Sequence, residues 1–248
     1  MTTTSIPCRG RDLYACQFTD TTLVVDYHTG LVRLLSRRRD TDQACAGSPA
    51  ADQPLADRIR DALGLDGSGT RSLRVVTGKP PALSFGADEC DAGLTAAECR
   101  KATPAEVIAS AAAFMAVLFL KALGARGGTM RRLTALLGGV ALLPLRTATL
   151  DEAERGVLHI RRMGRWFPGR VACLEESVAA TVALALLGRS VTWCHGVASD
   201  PVRLHAWVQA RVGNKGVPAA EPASTGRYTI LRAIPEDFDH QGAQHDQH

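Results

Sequence analysis

The chain has 248 residues, 46% of them hydrophobic and 22% charged, which suits a soluble globular protein with one large domain or two small ones and a sizeable core. A net charge of +4, with arginines scattered along the sequence, leaves no basic stripe and argues against nucleic-acid binding. The seven cysteines, at 8, 16, 45, 90, 99, 173 and 194, include no CxxC pair. They argue against a zinc knuckle or a disulfide framework and for a reducing, cytoplasmic compartment.

Met1 to Gln17 lacks the apolar core of a signal peptide. Phe18 to Ser36 reads as a β-hairpin, with strands at Thr22–Tyr27 and Leu31–Leu35 and a turn at His28-Thr29-Gly30. Arg37 to Pro54 is a polar loop. Leu55, Ile59 and Leu63 fall four apart and predict a short helix, and Ser72–Val76 a short strand. Pro80 to Thr103 is irregular and marks a boundary between a small N-terminal domain, 1–85, and a larger one, 86–236. The histidine-rich stretch 237–248 is expected to be a disordered tail.

Thr103-Pro104-Ala105-Glu106 carries a capping hydroxyl, a first-turn proline and a glutamate three residues after the cap, so a helix is expected from there to about Leu123. Its apolar run, Val107–Leu120, is too short to span a bilayer and predicts a buried helix and no integral membrane segment, with peripheral membrane contact left open as the alternative. Further helices are expected at Met130–Leu137, at Leu150–Met163 and from Cys173 to about Leu187. Two β-like runs follow, Val191–Gly196 and another beginning at His205.

Cys173 opens a helix just after Trp166-Phe167-Pro168-Gly169. There the positive end of the helix dipole and its unpaired N–H groups favour a thiolate and can hold an oxyanion. A cysteine is also commonly a small buried hydrophobe, so Cys173 alone does not decide. His205, on a strand, is a suitable general base; the alternative is a half-buried edge histidine. A third group should orient the imidazole, and Glu221, after the Gly213-Asn214-Lys215-Gly216 turn, is chosen ahead of Asp200. His195 competes with His205, although it cannot pair with adjacent Cys194 because neighbours on a strand face opposite ways. Glu175 and Glu176 suit the helix dipole and need no further role. Arg161, Arg162, Arg165 and Arg170 read equally as an acidic-peptide site and as a solvated helix face. No P-loop, GxGxxG, HExxH or metal-ligand spacing is present, so no cofactor and no metal is expected.

Arg165-Trp166-Phe167-Pro168-Gly169-Arg170-Val171-Ala172-Cys173-Leu174-Glu175-Glu176-Ser177, with Trp193-Cys194-His195-Gly196 and Asp200-Pro201-Val202-Arg203-Leu204-His205-Ala206-Trp207-Val208, resembles the lasso-peptide biosynthesis B proteins. These are transglutaminase-like cysteine peptidases of bacterial RiPP pathways, and the similarity covers roughly residues 104–235. The resemblance implies an α+β, papain-like fold with helices packed on an antiparallel sheet. It implies a hydrolase that removes the leader from a ribosomally made lasso precursor, with Cys173 as nucleophile, His205 as base and Glu221 as the third member. It also implies an asparagine-synthetase-like, ATP-dependent macrocyclase as partner. The hairpin Leu23–Val32 is similar to the leader-recognition domain of RiPP pathways, in divergent or remnant form, which leaves room for a separate leader-binding protein. Acyl transfer to an amine and a non-catalytic precursor scaffold are the rival readings.

Overall fold

The computed structural model describes residues 8–19, 21–36, 59, 71–79, 102–124, 126–199 and 201–236. It is an α+β structure in which two four-stranded sheets share a core with four helices. The first sheet holds β1 (Cys8–Gln17), β2 (Thr21–Asp26), β3 (Leu31–Ser36) and β4 (Arg71–Thr77), in the order β3-β2-β1-β4. The expected hairpin is β2–β3, pairing Thr21 with Ser36 through Asp26 with Leu31. Asp26 shapes its turn by accepting from His28 N and Thr29 Oγ1, both at 2.9 Å, and Gly30 supplies the left-handed residue at φ 72°.

The hairpin is only half of this sheet, a difference from the sequence reading. β1 has Leu13, Tyr14, Ala15 and Cys16 all buried, with Tyr14 and Cys16 in the main core and Leu13 and Ala15 in a second cluster with Val24, Ile59 and Leu73. A strand buried on both faces shows no alternation, which hid it in the sequence. β4 pairs with β1 in parallel. Of the helix expected around Leu55–Leu63, Ile59 alone lies among the described residues, and it is helical.

α1 (Pro104–Ala122) starts with the expected capping box: Thr103 Oγ1 accepts from Glu106 N at 3.3 Å, and Glu106 Oε2 accepts from Thr103 N at 2.8 Å. It is 19 residues long, and apolar and long enough by composition to cross a membrane. It is not the wholly buried helix expected. Ala109, Ser110, Ala113, Phe114 and Val117 are buried, whereas Ile108, Met115 and Phe119 on the opposite side are exposed. Both sides of this helix are apolar, so periodicity gives no warning that only one is packed.

α2 (Thr129–Ala141) and α3 (Leu150–Trp166) extend past the expected helices, and α3 carries a second capping box, Thr149 with Glu152. α4 (Cys173–Leu186) is central. It packs against α1, α2 and α3 and against the second sheet. Residues Val178 to Leu184 are all buried, and the small side chains Ala179, Ala180 and Ala183 let neighbours approach closely. Gly156 of α3 fits there too, since a Cβ at that position would lie 3.0 Å from Leu184. A two-residue parallel ladder joins β5 (Arg146–Thr147) to β6 (Arg189–Ser190).

The second sheet is antiparallel, ordered β10-β7-β8-β9 from β7 (Thr192–Ser199), β8 (Val202–Val212), β9 (Lys215–Pro218) and β10 (Thr229–Ile234). Both β7 and β8 are longer than expected. Gly196 does not end β7, and His205 is the fourth residue of β8 rather than its first, because Val197–Ser199 and Val202–Leu204 continue the pairing. Val202 and Arg203 are exposed, so the start of β8 lacks the burial that marks its centre.

Candidate active site

Cys173 is the first residue of α4. Ala172, before it, has no side-chain cap of its own; instead Glu175 Oε2 accepts from Ala172 N at 2.8 Å and closes the helix start. Glu175 also pairs with Lys121 at 2.7 Å, tying the nucleophile helix to α1. Glu175 therefore does more than complement the dipole.

β8 supplies the partner. β9 pairs with β8 only over Gln209–Val212, so the edge of β8 is open at Ala206. The Ala206 N–H points from that edge to the Cys173 sulfur, which also accepts hydrogen bonds from the Leu174 N–H and from His205. His205 is half-buried and its ring stacks on Trp207, centroids 5.8 Å apart at 14°, with Tyr228 tilted against it at 5.4 Å. Gly196 makes room for this box: a Cβ there would lie 2.8 Å from the Trp207 ring.

After β9 the chain turns at Ala220, a non-glycine residue at φ 53°, and delivers Glu221 to His205. Glu221 Oε2 accepts from His205 Nε2 at 2.9 Å, which leaves Nδ1 as the nitrogen that meets the thiol. Glu221 is 3% exposed and His205 21% exposed, so the pair is sheltered on its carboxylate side. Arg161 of α3 secures the loop by donating to Ala220 O at 2.5 Å and to Glu221 Oε1.

Burial pushes the Cys173 thiol up, but the hydrogen bonds from His205 and Ala206 and the His205 charge outweigh it, and the net direction is downward. His205 moves the other way: burial disfavours its cation, yet the hydrogen bonds to Cys173 and Glu221 and the Glu221 charge raise it to about 9. Both shifts favour a thiolate–imidazolium pair. Burial lifts the Glu176 carboxyl above its ordinary value; Arg161 opposes this, while Glu221 and Glu175 reinforce it. Glu176, Arg161, Arg165, Arg203, His205, Glu221 and Tyr228 border a cleft of about 520 Å³.

Cys173, His205 and Glu221 thus meet in space, as the sequence grouped them. Asp200, ranked behind Glu221, lies outside the described residues. His195 does not join the group. It is buried on the other face of β7, hydrogen-bonded to Tyr27, with burial holding it down at about 4. Arg161 was missed in its specific role. Its signal was only a charge next to Ile160 and Gly164, at the border of the buried stripe of α3. Among the described residues, no three His, Cys, Asp or Glu side chains cluster as metal ligands.

Residues 115–233 match the family model described as the transglutaminase-like superfamily. That stretch runs from mid-α1 to β10 and includes all three site residues, so the second sheet and its helices have a transglutaminase-like fold. Comparison with curated proteins and with solved structures returned no match.

Proposed function

We propose, from a transglutaminase-like domain over residues 115–233, that this protein is a cytoplasmic cysteine peptidase that removes the leader from a ribosomally made lasso precursor before a partner macrocyclase acts. The observation that carries the reading is Cys173 at a helix N-terminus, hydrogen-bonded to a His205 whose far nitrogen is held by Glu221. In this reading the Cys173 thiolate attacks the carbonyl carbon at the leader–core junction. The first-turn N–H groups of α4 receive the oxyanion. The tetrahedral intermediate collapses as the His205 imidazolium protonates the departing core amine, leaving a thioester with the leader. Water, deprotonated by His205, attacks the thioester, and the leader leaves as a carboxylic acid with the thiolate restored. Glu221, fixed by Arg161, keeps the imidazole oriented throughout.

The freed amine suits ATP-dependent closure onto an Asp or Glu side chain by an asparagine-synthetase-like cyclase. Leader delivery suits the first sheet. β3 is an edge strand with Leu31, Val32 and Leu34 exposed, which favours capture of an extended peptide as an added strand, alone or with a separate leader-binding protein. The test is to incubate the protein with the precursor encoded beside its gene, with and without any separate leader-binding protein, and to read intact mass. Cys173→Ala is run in parallel. Release of a leader fragment that disappears in the variant supports the reading. A leader joined to an added amine instead of water points to acyl transfer. Precursor bound and never cleaved, under every combination, overturns catalysis and leaves a scaffold.

A further inference from the structure

We propose that His195 is a positioning residue that fastens the nucleophile helix to the N-terminal sheet, so that the first sheet sets the reactivity of Cys173. This role rests on the peptidase reading for its turnover arm alone; the thiol can be assayed without a substrate.

The inference starts from a buried polar contact across the two sheets. Tyr27, the residue after β2, has its Oη 2.5 Å from His195 Nδ1. Both side chains are buried, at 2% and 6% exposure. Burial keeps the Tyr27 phenol protonated and the His195 ring neutral, so the phenol, the stronger acid of the two, donates to the imidazole. Arg232 of β10 lies over the Tyr27 ring at 4.9 Å and over the Tyr14 ring at 5.5 Å, a cation–π contact with both. A hydrogen bond buried this deeply leaves an unsatisfied polar atom when either partner is lost, so it fixes the relative placement of the sheets more strongly than apolar packing does.

From His195 the contacts lead to the thiol. Its ring stacks on Trp193 at 5.9 Å and 12°. Trp193 Nε1 donates to Ser177 Oγ at 2.9 Å, and Ser177 Oγ donates to Leu174 O at 3.1 Å, in the first turn of α4. Leu174 N–H is itself a hydrogen-bond donor to the Cys173 sulfur. On the sheet side, His195 is paired across the ladder with Ala206, whose N–H donates to the same sulfur. One of the donors that favour the thiolate, the Leu174 N–H, is therefore reached from the His195 ring through the helix, and the other, the Ala206 N–H, lies on the strand paired with the backbone of His195. Packing alone does not ask for a histidine here; its one ring nitrogen placed against an N-terminal phenol does.

The experiment measures the second-order rate of iodoacetamide alkylation of Cys173, mapped by mass spectrometry, in the full chain. The variants are Tyr27→Phe, which deletes only the hydroxyl, Ser177→Ala, which cuts the helix end of the path, and the double variant. Tm and circular dichroism are recorded beside the rate. A fall of about fivefold at neutral pH in each single variant, with little further loss in the double, is the expected result. In the peptidase assay kcat should fall with KM unchanged. A lowered Tm with the alkylation rate and kcat intact would reduce the contact to structure and overturn the proposal. Additive losses in the double variant would overturn the shared path. If Tyr27→Phe does not fold, Ser177→Ala carries the test with the same two outcomes. Fast alkylation in the wild type without cleavage of any precursor would sink the peptidase reading and leave this one standing.

Discussion

His205 Nε2 lies 2.9 Å from Glu221 Oε2, at the end of a loop that Arg161 clamps from a different helix. The carboxylate therefore acts on the imidazole rather than on the thiol, and its effect should be visible in the alkaline behaviour of the site. His205 is raised from 6.5 to about 9, while the Cys173 thiol is lowered from 9.0. The reactive pair exists above the lowered thiol pKa and below the raised imidazole pKa. Going up in pH, kcat/KM should rise as the thiol ionises, level off, and fall near pH 9 as the imidazolium loses its proton, both limbs belonging to the coupled pair. Glu221→Gln removes one of the groups that raise His205, so the alkaline limb should shift to lower pH. A pH–rate profile of wild type and variant checks this, and an alkaline limb that stays in place would remove Glu221 from the site.

Cys16, Cys173 and Cys194 should differ widely in reactivity. Burial pushes Cys16 up to about 12 and Cys194 further still, with no neighbour to offset it, whereas Cys173 is pulled down by His205. Alkylation requires thiolate. Brief iodoacetamide treatment at pH 7 followed by peptide mapping should label Cys173 well ahead of Cys16 and Cys194. His205→Ala should bring Cys173 back towards the other two. Equal labelling of all three in the folded wild type would contradict the ion pair.

The parts of this arrangement that were legible in the sequence are those with local signatures. The capping box at Thr103, the Pro168-Gly169 break ahead of Cys173, and the turn at Gly213-Asn214 each act through residues a few positions apart. Cys173 and Glu221 each follow such a signal, and His205 lies on the strand that ends at the Gly213-Asn214 turn, so the three could be grouped. What could not be read depends on contacts between distant segments. β1 is buried on both faces and shows no alternation. Tyr27 and His195 are 168 residues apart, and nothing near His195 announces a phenol. Arg161 looks like any helix-surface arginine until α3 packs on α4 and places it against Glu221.

Arg161 gives a third prediction. Its guanidinium contacts Glu221, the Ala220 carbonyl and, at 3.7 Å, Glu176. Only a planar fork serves a carboxylate and a carbonyl together, so Arg161→Lys keeps the charge but loses the geometry. Arg161→Met frees the left-handed turn at Ala220 and lets Glu221 drift from His205. The expected loss in kcat is between about tenfold and a hundredfold for Arg161→Met, with partial recovery in Arg161→Lys. Steady-state kinetics on the precursor separates this from substrate binding, because a change confined to KM would place Arg161 in the cleft wall instead.

Gly196 gives the last. It sits on β7 opposite His205, and a Cβ there would lie 2.7 Å from Thr229 O and 2.8 Å from the Trp207 ring. The carbonyl belongs to β10, which is paired with β7, and cannot retreat without opening the ladder. The indole can move, but its ring is the surface on which His205 stacks. Gly196→Ala should therefore cost about 1–3 kcal/mol through overpacking, which lowers Tm by several degrees in a chain of this size. It should also lower kcat at temperatures where the variant is fully folded, since displacing Trp207 tilts the imidazole away from its hydrogen bonds. Adding Trp207→Phe removes the two indole atoms nearest the new methyl and should recover part of the Tm while leaving kcat low, because the stacking surface is then lost. Thermal melts and kinetics on the three variants decide it. Full recovery of kcat in the double variant would mean that Trp207 is merely an obstacle and that His205 is held by Glu221 alone.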